Sequence, residues 1–73
     1  MNKMPRHLDR SPLQRRTQHF IRRQRERRIS CQEVLMALAY GHRHEHGDFT
    51  YFYSRGLFLV VDLDGYLVTA YWL

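Results

Sequence analysis

Residues 57–73 read LFLVVDLDGYLVTAYWL, and this stretch decides the fold. Branched and aromatic residues dominate it, as in strands. Asp64-Gly65 interrupts the run with a two-residue hairpin signal. If Leu63 stands opposite Tyr66 across that turn, Leu57, Leu59, Val61 and Leu63 share a face with Tyr66, Val68, Ala70 and Trp72, because side chains alternate along a strand. That face is apolar enough to form a core. The other face collects Phe58, Val60 and Asp62 with Leu67, Thr69, Tyr71 and Leu73.

Upstream, FTYFYS (49–54) reads as a further strand, joined through a tight turn at Ser54-Arg55-Gly56. The length of that turn decides which face takes Tyr51 and Tyr53, so the register of 49–54 stays open. Before it, GHRHEHGD (41–48) holds His42, His44 and His46 at every second position. A short leading strand would set the three imidazoles in one row. Such a row could bind zinc or nickel. Nothing supplies a clear fourth ligand, although Glu45 and Asp48 are near. Turn residues bracket the row, which favours an exposed edge whose polar side chains discourage strand addition. No metal and no other cofactor is expected.

The N-terminal half is helical in pattern. In ISCQEVLMALAYG (29–41), Ser30 with Glu33 makes a capping box. Val34, Leu35 and Leu38 give a helical stripe, Ile29 can staple the start, and Gly41 stands where a C-cap glycine belongs. A helix over 31–40 follows. Ser11-Pro12 starts an earlier one over 12–28, with Leu13, Phe20 and Ile21 as a thin apolar stripe. Residues 1–10 read as a flexible basic arm. The expected architecture is α+β: two N-terminal helices packed on a three- to four-stranded antiparallel sheet, as one domain over 11–73.

A chain of 73 residues forms one small core. Its charge is divided: residues 1–30 carry ten Lys and Arg against Asp9 and Glu26, whereas residues 31–73 carry Arg43 and Arg55 against five carboxylates. Nine of the ten N-terminal cations are arginine, whose planar fork suits phosphate. A polyanion partner, most simply nucleic acid, is the leading inference. Cys31 is the single cysteine; it excludes an internal disulfide and suits a reducing compartment. No run approaches the ~20 apolar residues of a membrane span, and no apolar stretch follows the basic N-terminus as a secretory signal would require. The expected location is cytoplasmic. Two short helices cannot cover Tyr51, Tyr53, Tyr66, Tyr71 and Trp72 together, so a homodimer or a second protein partner is expected on an aromatic face.

Three pieces in order carry a resemblance: HFIRRQRERRIS (19–30), with His19, Arg23 and Arg27 at four-residue steps before Ile29-Ser30; AYG (39–41); and LVVDLDGYLVTAY (59–71), with Thr69 and Tyr71 near its end. Over about residues 19–72 the chain resembles a family of small bacterial and phage domains with the pattern H-x3-R-x3-R-x-I-S, then Y-G, then V-T-x-Y. That family is similar in fold to BrnT and RelE-type toxins, in the wider barnase/EndoU/colicin/RelE group of metal-independent ribonucleases. The resemblance implies two helices against a curved antiparallel sheet, an RNA site, and an antitoxin-like partner. The turn at Arg55 is shorter here than in such relatives, so any site element in their insertion is absent.

The residues themselves support that chemistry. His19, Arg23 and Arg27 line one side of a helix. A histidine can take the proton of a ribose 2′-hydroxyl while cations stabilise charge on the phosphate. Thr69 and Tyr71 share one strand face, and Tyr71 can stack on a base or donate to a phosphate. Arg15, Arg16, Arg22 and Arg28 would contact the backbone of a nucleic acid. Blander roles stand beside these: His19 packed under the sheet, Arg23 and Arg27 paired with Asp62 or Asp64, and Thr69 as an ordinary strand residue. Three functions follow in order: a toxin-like metal-independent endoribonuclease, a non-catalytic nucleic-acid-binding protein, and a phage-type inhibitor or interaction protein using its aromatic sheet.

Overall fold

The computed structural model describes residues 9–73, and most of the expected 1–10 arm lies outside them. A 3-10 turn at Ser11–Gln14 precedes helix α1 (Gln18–Glu26), helix α2 (Cys31–Tyr40) and four strands: β1 (His42–His46), β2 (Phe49–Ser54), β3 (Leu57–Asp62) and β4 (Leu67–Trp72). The strands form one antiparallel sheet in the order β1-β2-β3-β4. The protein is therefore α+β, with its helices N-terminal to the sheet.

Helix α2 forms where its caps direct it. The Ser30 hydroxyl accepts from Glu33 N–H at 3.0 Å, and the Glu33 carboxylate accepts from Ser30 N–H at 2.8 Å. A cap of this kind contributes about 0.5–2 kcal/mol. Gly41 ends the helix for a reason other than the one its type suggests. Its φ is −73°, not left-handed. A Cβ there would lie 2.5 Å from the Ala37 carbonyl oxygen and 2.8 Å from that of Tyr53. The glycine lets the helix end lie flat against β2.

The expected helix over 12–28 is broken. The chain bends at Arg15, and Arg16 forms a parallel bridge to Leu67 at the start of β4: Leu67 N–H donates to Arg15 O at 2.7 Å, and Thr17 N–H to Leu67 O at 3.0 Å. Thr17, not Ser11, caps α1, accepting from Phe20 N–H at 3.0 Å. Pairing with a distant strand overrides local helix preference here.

The last hairpin also differs from expectation. Its loop is Leu63-Asp64-Gly65, three residues, with Asp62 N–H donating to Tyr66 O at 2.9 Å and Gly65 N–H to Asp62 O at 3.1 Å. The Asp62 carboxylate holds the loop by accepting from the N–H groups of Asp64 and Tyr66, both at 2.9 Å. Gly65 takes φ +87°, the left-handed step of a three-residue hairpin. A bulge follows, since Val60 pairs with Thr69 but Val61 pairs with Leu67. Val68 is the extra residue, and it flips the faces beyond it. Leu67 is buried where Val68 was expected, and Leu63 and Tyr66 are 76 % and 44 % exposed. Short of the bulge the expected face holds for Leu57, Leu59 and Ala70, which are buried, but not for Trp72, which is 40 % exposed.

One buried cluster joins Phe20, Ile29, Val34 and Ala37 to Leu57, Leu59, Leu67 and Ala70. The open register resolves through Arg55 (φ +52°) and Gly56 (φ +86°), a two-residue turn with both central residues left-handed. Tyr51 then pairs with Val60 and Tyr53 with Phe58. Both tyrosines thus lie on the face away from the core, with Thr69 and Tyr71.

Gly41→Ala should lower unfolding free energy by about 1–3 kcal/mol, the usual penalty for forcing atoms into a packed site. Urea denaturation checks this; an unchanged midpoint contradicts the close approach.

Candidate nucleic-acid interface

Helix α1 runs beside the outer edge of β4, and three contacts hold it there. The Thr17 hydroxyl donates to Val68 O at 3.3 Å, the Arg27 guanidinium to Ala70 O at 2.7 Å, and the Trp72 indole N–H to Arg27 O at 2.8 Å. Arg27 satisfies a strand carbonyl, and Trp72 satisfies the carbonyl left over at the helix end.

Between α1 and β4 lies an open cleft of about 560 Å³, lined by His19, Arg23, Arg27, Thr69, Tyr71 and Trp72. All five residues singled out as catalytic candidates from the sequence line this one cleft. Trp72 was missed, because alternation with Tyr71 puts it on the core face; its indole reaches the cleft by donating to Arg27 O at the end of α1. His19 is exposed rather than packed under the sheet. Among the described residues no side chain hydrogen-bonds to its ring.

Arg23 and Arg27 are not paired with Asp62 or Asp64. Arg23 donates to the Glu26 carboxylate at 2.6 Å. Its hydrogen bond, with the charges of Arg23, Arg22 and Arg27 behind it, holds the Glu26 carboxyl below the ordinary glutamate range. Glu26 thus stands against the cationic side of the cleft. A phosphate would have to compete with it for Arg23.

The remaining arginines divide. Arg22 is exposed on α1, and Arg28 is exposed in the turn between the helices, at φ +55°. Arg15 is exposed and reaches Asp64 O at 3.5 Å. Arg16 is turned inward: it donates to Leu13 O at 2.8 Å and to the Gln24 side-chain oxygen at 3.0 Å, with the Cys31 sulfur at 3.9 Å. Arg16 ties the 3-10 turn to both helices and completes the hydrogen bonding of buried Gln24. Spacing in the sequence gives no sign of this inward turn.

Tyr71 also begins a second feature. On the face away from the core, ring centroids follow one another across all four strands: Tyr71 to Phe58 at 5.2 Å, Phe58 to Tyr51 at 5.5 Å and to Tyr53 at 6.2 Å, Tyr51 to His46 at 6.5 Å, and His46 to His44 at 6.2 Å. These are ordinary aromatic pair distances. The histidine row is therefore the outer end of an aromatic face. Among the described residues no group of three or more His, Cys, Asp or Glu side chains is placed to hold a metal ion. No helix among them is long and apolar enough to cross a membrane.

Comparison with protein families, with curated proteins and with solved structures found no match for the chain.

Two substitutions separate structure from charge. Arg27→Ala should cost about 1–3 kcal/mol of stability by removing a charged donor from a strand carbonyl. Arg23→Ala should stay within about 0.5 kcal/mol, as an exposed pair does. The Glu26 pair contributes stability above the ordinary glutamate pKa and loses it as pH falls through the depressed value. Carboxyl NMR titration should accordingly show the Glu26 pKa rising in Arg23→Ala. An unmoved titration would contradict the pairing.

Proposed function

We propose that the protein engages single-stranded RNA, with bases on the aromatic face and phosphate at the α1–β4 cleft, and that His19 cleaves it there without a metal. The observation that carries this is the double role of Tyr71. It lines the cationic cleft and is also the first ring of a series crossing the sheet. Aromatic platforms beside cationic grooves bind single strands because every base has a face to stack. The resemblance to BrnT and RelE-type toxins supports the catalytic part, and an antitoxin-like partner belongs to the same reading. So does a cytoplasmic location, on the strength of the lone Cys31.

The chemistry runs through the chain's own groups. The His19 imidazole takes the proton of a 2′-hydroxyl. The 2′-oxygen attacks the adjacent phosphorus and the bond to the 5′-oxygen breaks. The leaving oxygen takes a proton from solvent, to which the cleft is open. Arg23 and Arg27 face the charge that grows on the phosphate; Arg27 keeps donors beyond the one given to Ala70. One observation favours the non-catalytic version of this reading: among the described residues no neighbour orients the His19 ring, where a general base is usually held by a second group.

Incubation with total RNA, with and without EDTA, tests the proposal. Cleavage should persist in EDTA and leave 2′,3′-cyclic phosphate ends. Folded His19→Ala should lose about 10²–10⁴-fold in rate and keep its affinity. Binding should weaken with salt at a slope of about −2 for three phosphate contacts. Tyr71→Ala should weaken it by about 1–3 kcal/mol, and Tyr71→Phe by much less. Salt-dependent binding with no cleavage leaves the binding protein; no binding at low salt removes RNA altogether.

A further inference from the structure

The two outer strands of the sheet are treated differently. The β4 edge is covered by Arg15–Thr17 and α1. Among the described residues nothing covers the β1 edge: all five of its residues are exposed, with neither proline nor bulge to blunt it. A two-residue turn, Gly47-Asp48, joins β1 to β2, so the flanking pair His46–Phe49 is a hydrogen-bonded one, and such pairs alternate along the ladder. His42, His44 and His46 therefore direct their backbone groups at β2. Arg43 and Glu45 direct theirs outward.

The strand reads His-Arg-His-Glu-His, and its two charges flank His44 symmetrically. An antiparallel second copy with His44 opposite His44 sets Arg43 opposite the partner's Glu45, twice. In that register the outward N–H and C=O groups of Arg43 and Glu45 meet those of the partner's Glu45 and Arg43. A shift of two residues either way sets Arg43 opposite Arg43 or Glu45 opposite Glu45. The strand thus complements itself in one register and repels itself in the neighbouring ones. Within one chain Arg43 and Glu45 pair at 2.8 Å while both remain well exposed, so exchanging partners needs no buried group to be uncovered. Beside them the core face carries an open hollow of about 400 Å³ lined by Phe52, Val61 and Leu63, which a partner strand would wall on one side.

We propose that β1 is a self-pairing edge, through which two copies of the chain join antiparallel about a two-fold axis at His44 into one eight-stranded sheet. The interface is isologous, as two-fold dimers require. Polar side chains deter indiscriminate strand addition, and their order selects a second copy. Both aromatic faces then lie on the same side of the sheet, with one cleft at each outer end, about 34 Å apart at about 4.8 Å per strand.

Sedimentation of nucleic-acid-free protein at about pH 8, where an ordinary histidine is neutral, should show a concentration-dependent dimer. Arg43→Glu alone and Glu45→Arg alone set like charges opposite one another, and each should self-associate at least about tenfold more weakly. An equimolar mixture of the two variants should regain the dimer, because each supplies the sign the other lacks. The doubly exchanged chain should dimerise like the original. Only pairing between chains restores the mixture, so a mixture that stays monomeric overturns the proposal, as does a monomeric original chain or a single variant that still dimerises.

Discussion

The closure of the β4 edge is the contact on which the rest of the molecule depends. An outer strand presents unpaired backbone groups, and leaving them without partners beneath other elements is costly. Here Arg15 and Thr17 pair with Leu67, the Thr17 hydroxyl takes Val68, and the Arg27 guanidinium takes Ala70. Those bonds fix where the first helix begins, which way it runs, and how Phe20 enters the core. They also fix the cleft, because His19, Arg23 and Arg27 lie on the same helix that the edge holds in place.

This arrangement gives Arg27 two tasks. It is a structural donor and, at the same time, part of the cationic lining. Arg23 is more available: among the described residues its one restraint is an exposed carboxylate whose charge it stabilises. The sheet contributes the other half of the site. Thr69 and Tyr71 reach the cleft because β4 keeps strict alternation after the bulge at Val68, while Leu67 and Ala70 turn to the core. One extra residue in one strand therefore serves both faces.

Much of this was legible in the chain. The capping box of Ser30 and Glu33, the punctuation at Arg55-Gly56, the two-residue rhythm from His42 onward and the four-residue steps of His19, Arg23 and Arg27 are local signals, and local geometry obeys them. What escaped is long-range. Nothing near Arg15–Thr17 announces a pairing with Leu67, some fifty residues away, and Ser11-Pro12 is a genuine start signal for the short turn it does begin. The loop at Leu63–Gly65 has a side-chain clasp from Asp62 that lengthens it by one residue, and that single step exposes Leu63 and Tyr66. Arg16 looks like its neighbours in sequence, but the Leu13 carbonyl and the buried amide of Gln24 draw it inward.

The central claim is that RNA meets the protein at Tyr71, where the cleft and the aromatic face join. Titrating isotopically labelled protein with a short single-stranded RNA, and following backbone, indole and arginine side-chain NMR signals, tests it directly. The account predicts the largest changes at Thr69, Tyr71, the Trp72 indole and the Arg23 side chain, extending to Phe58 and Tyr51, with the exposed side of α2 unmoved. Changes confined to the residues before Ser11, or centred on α2, would contradict it.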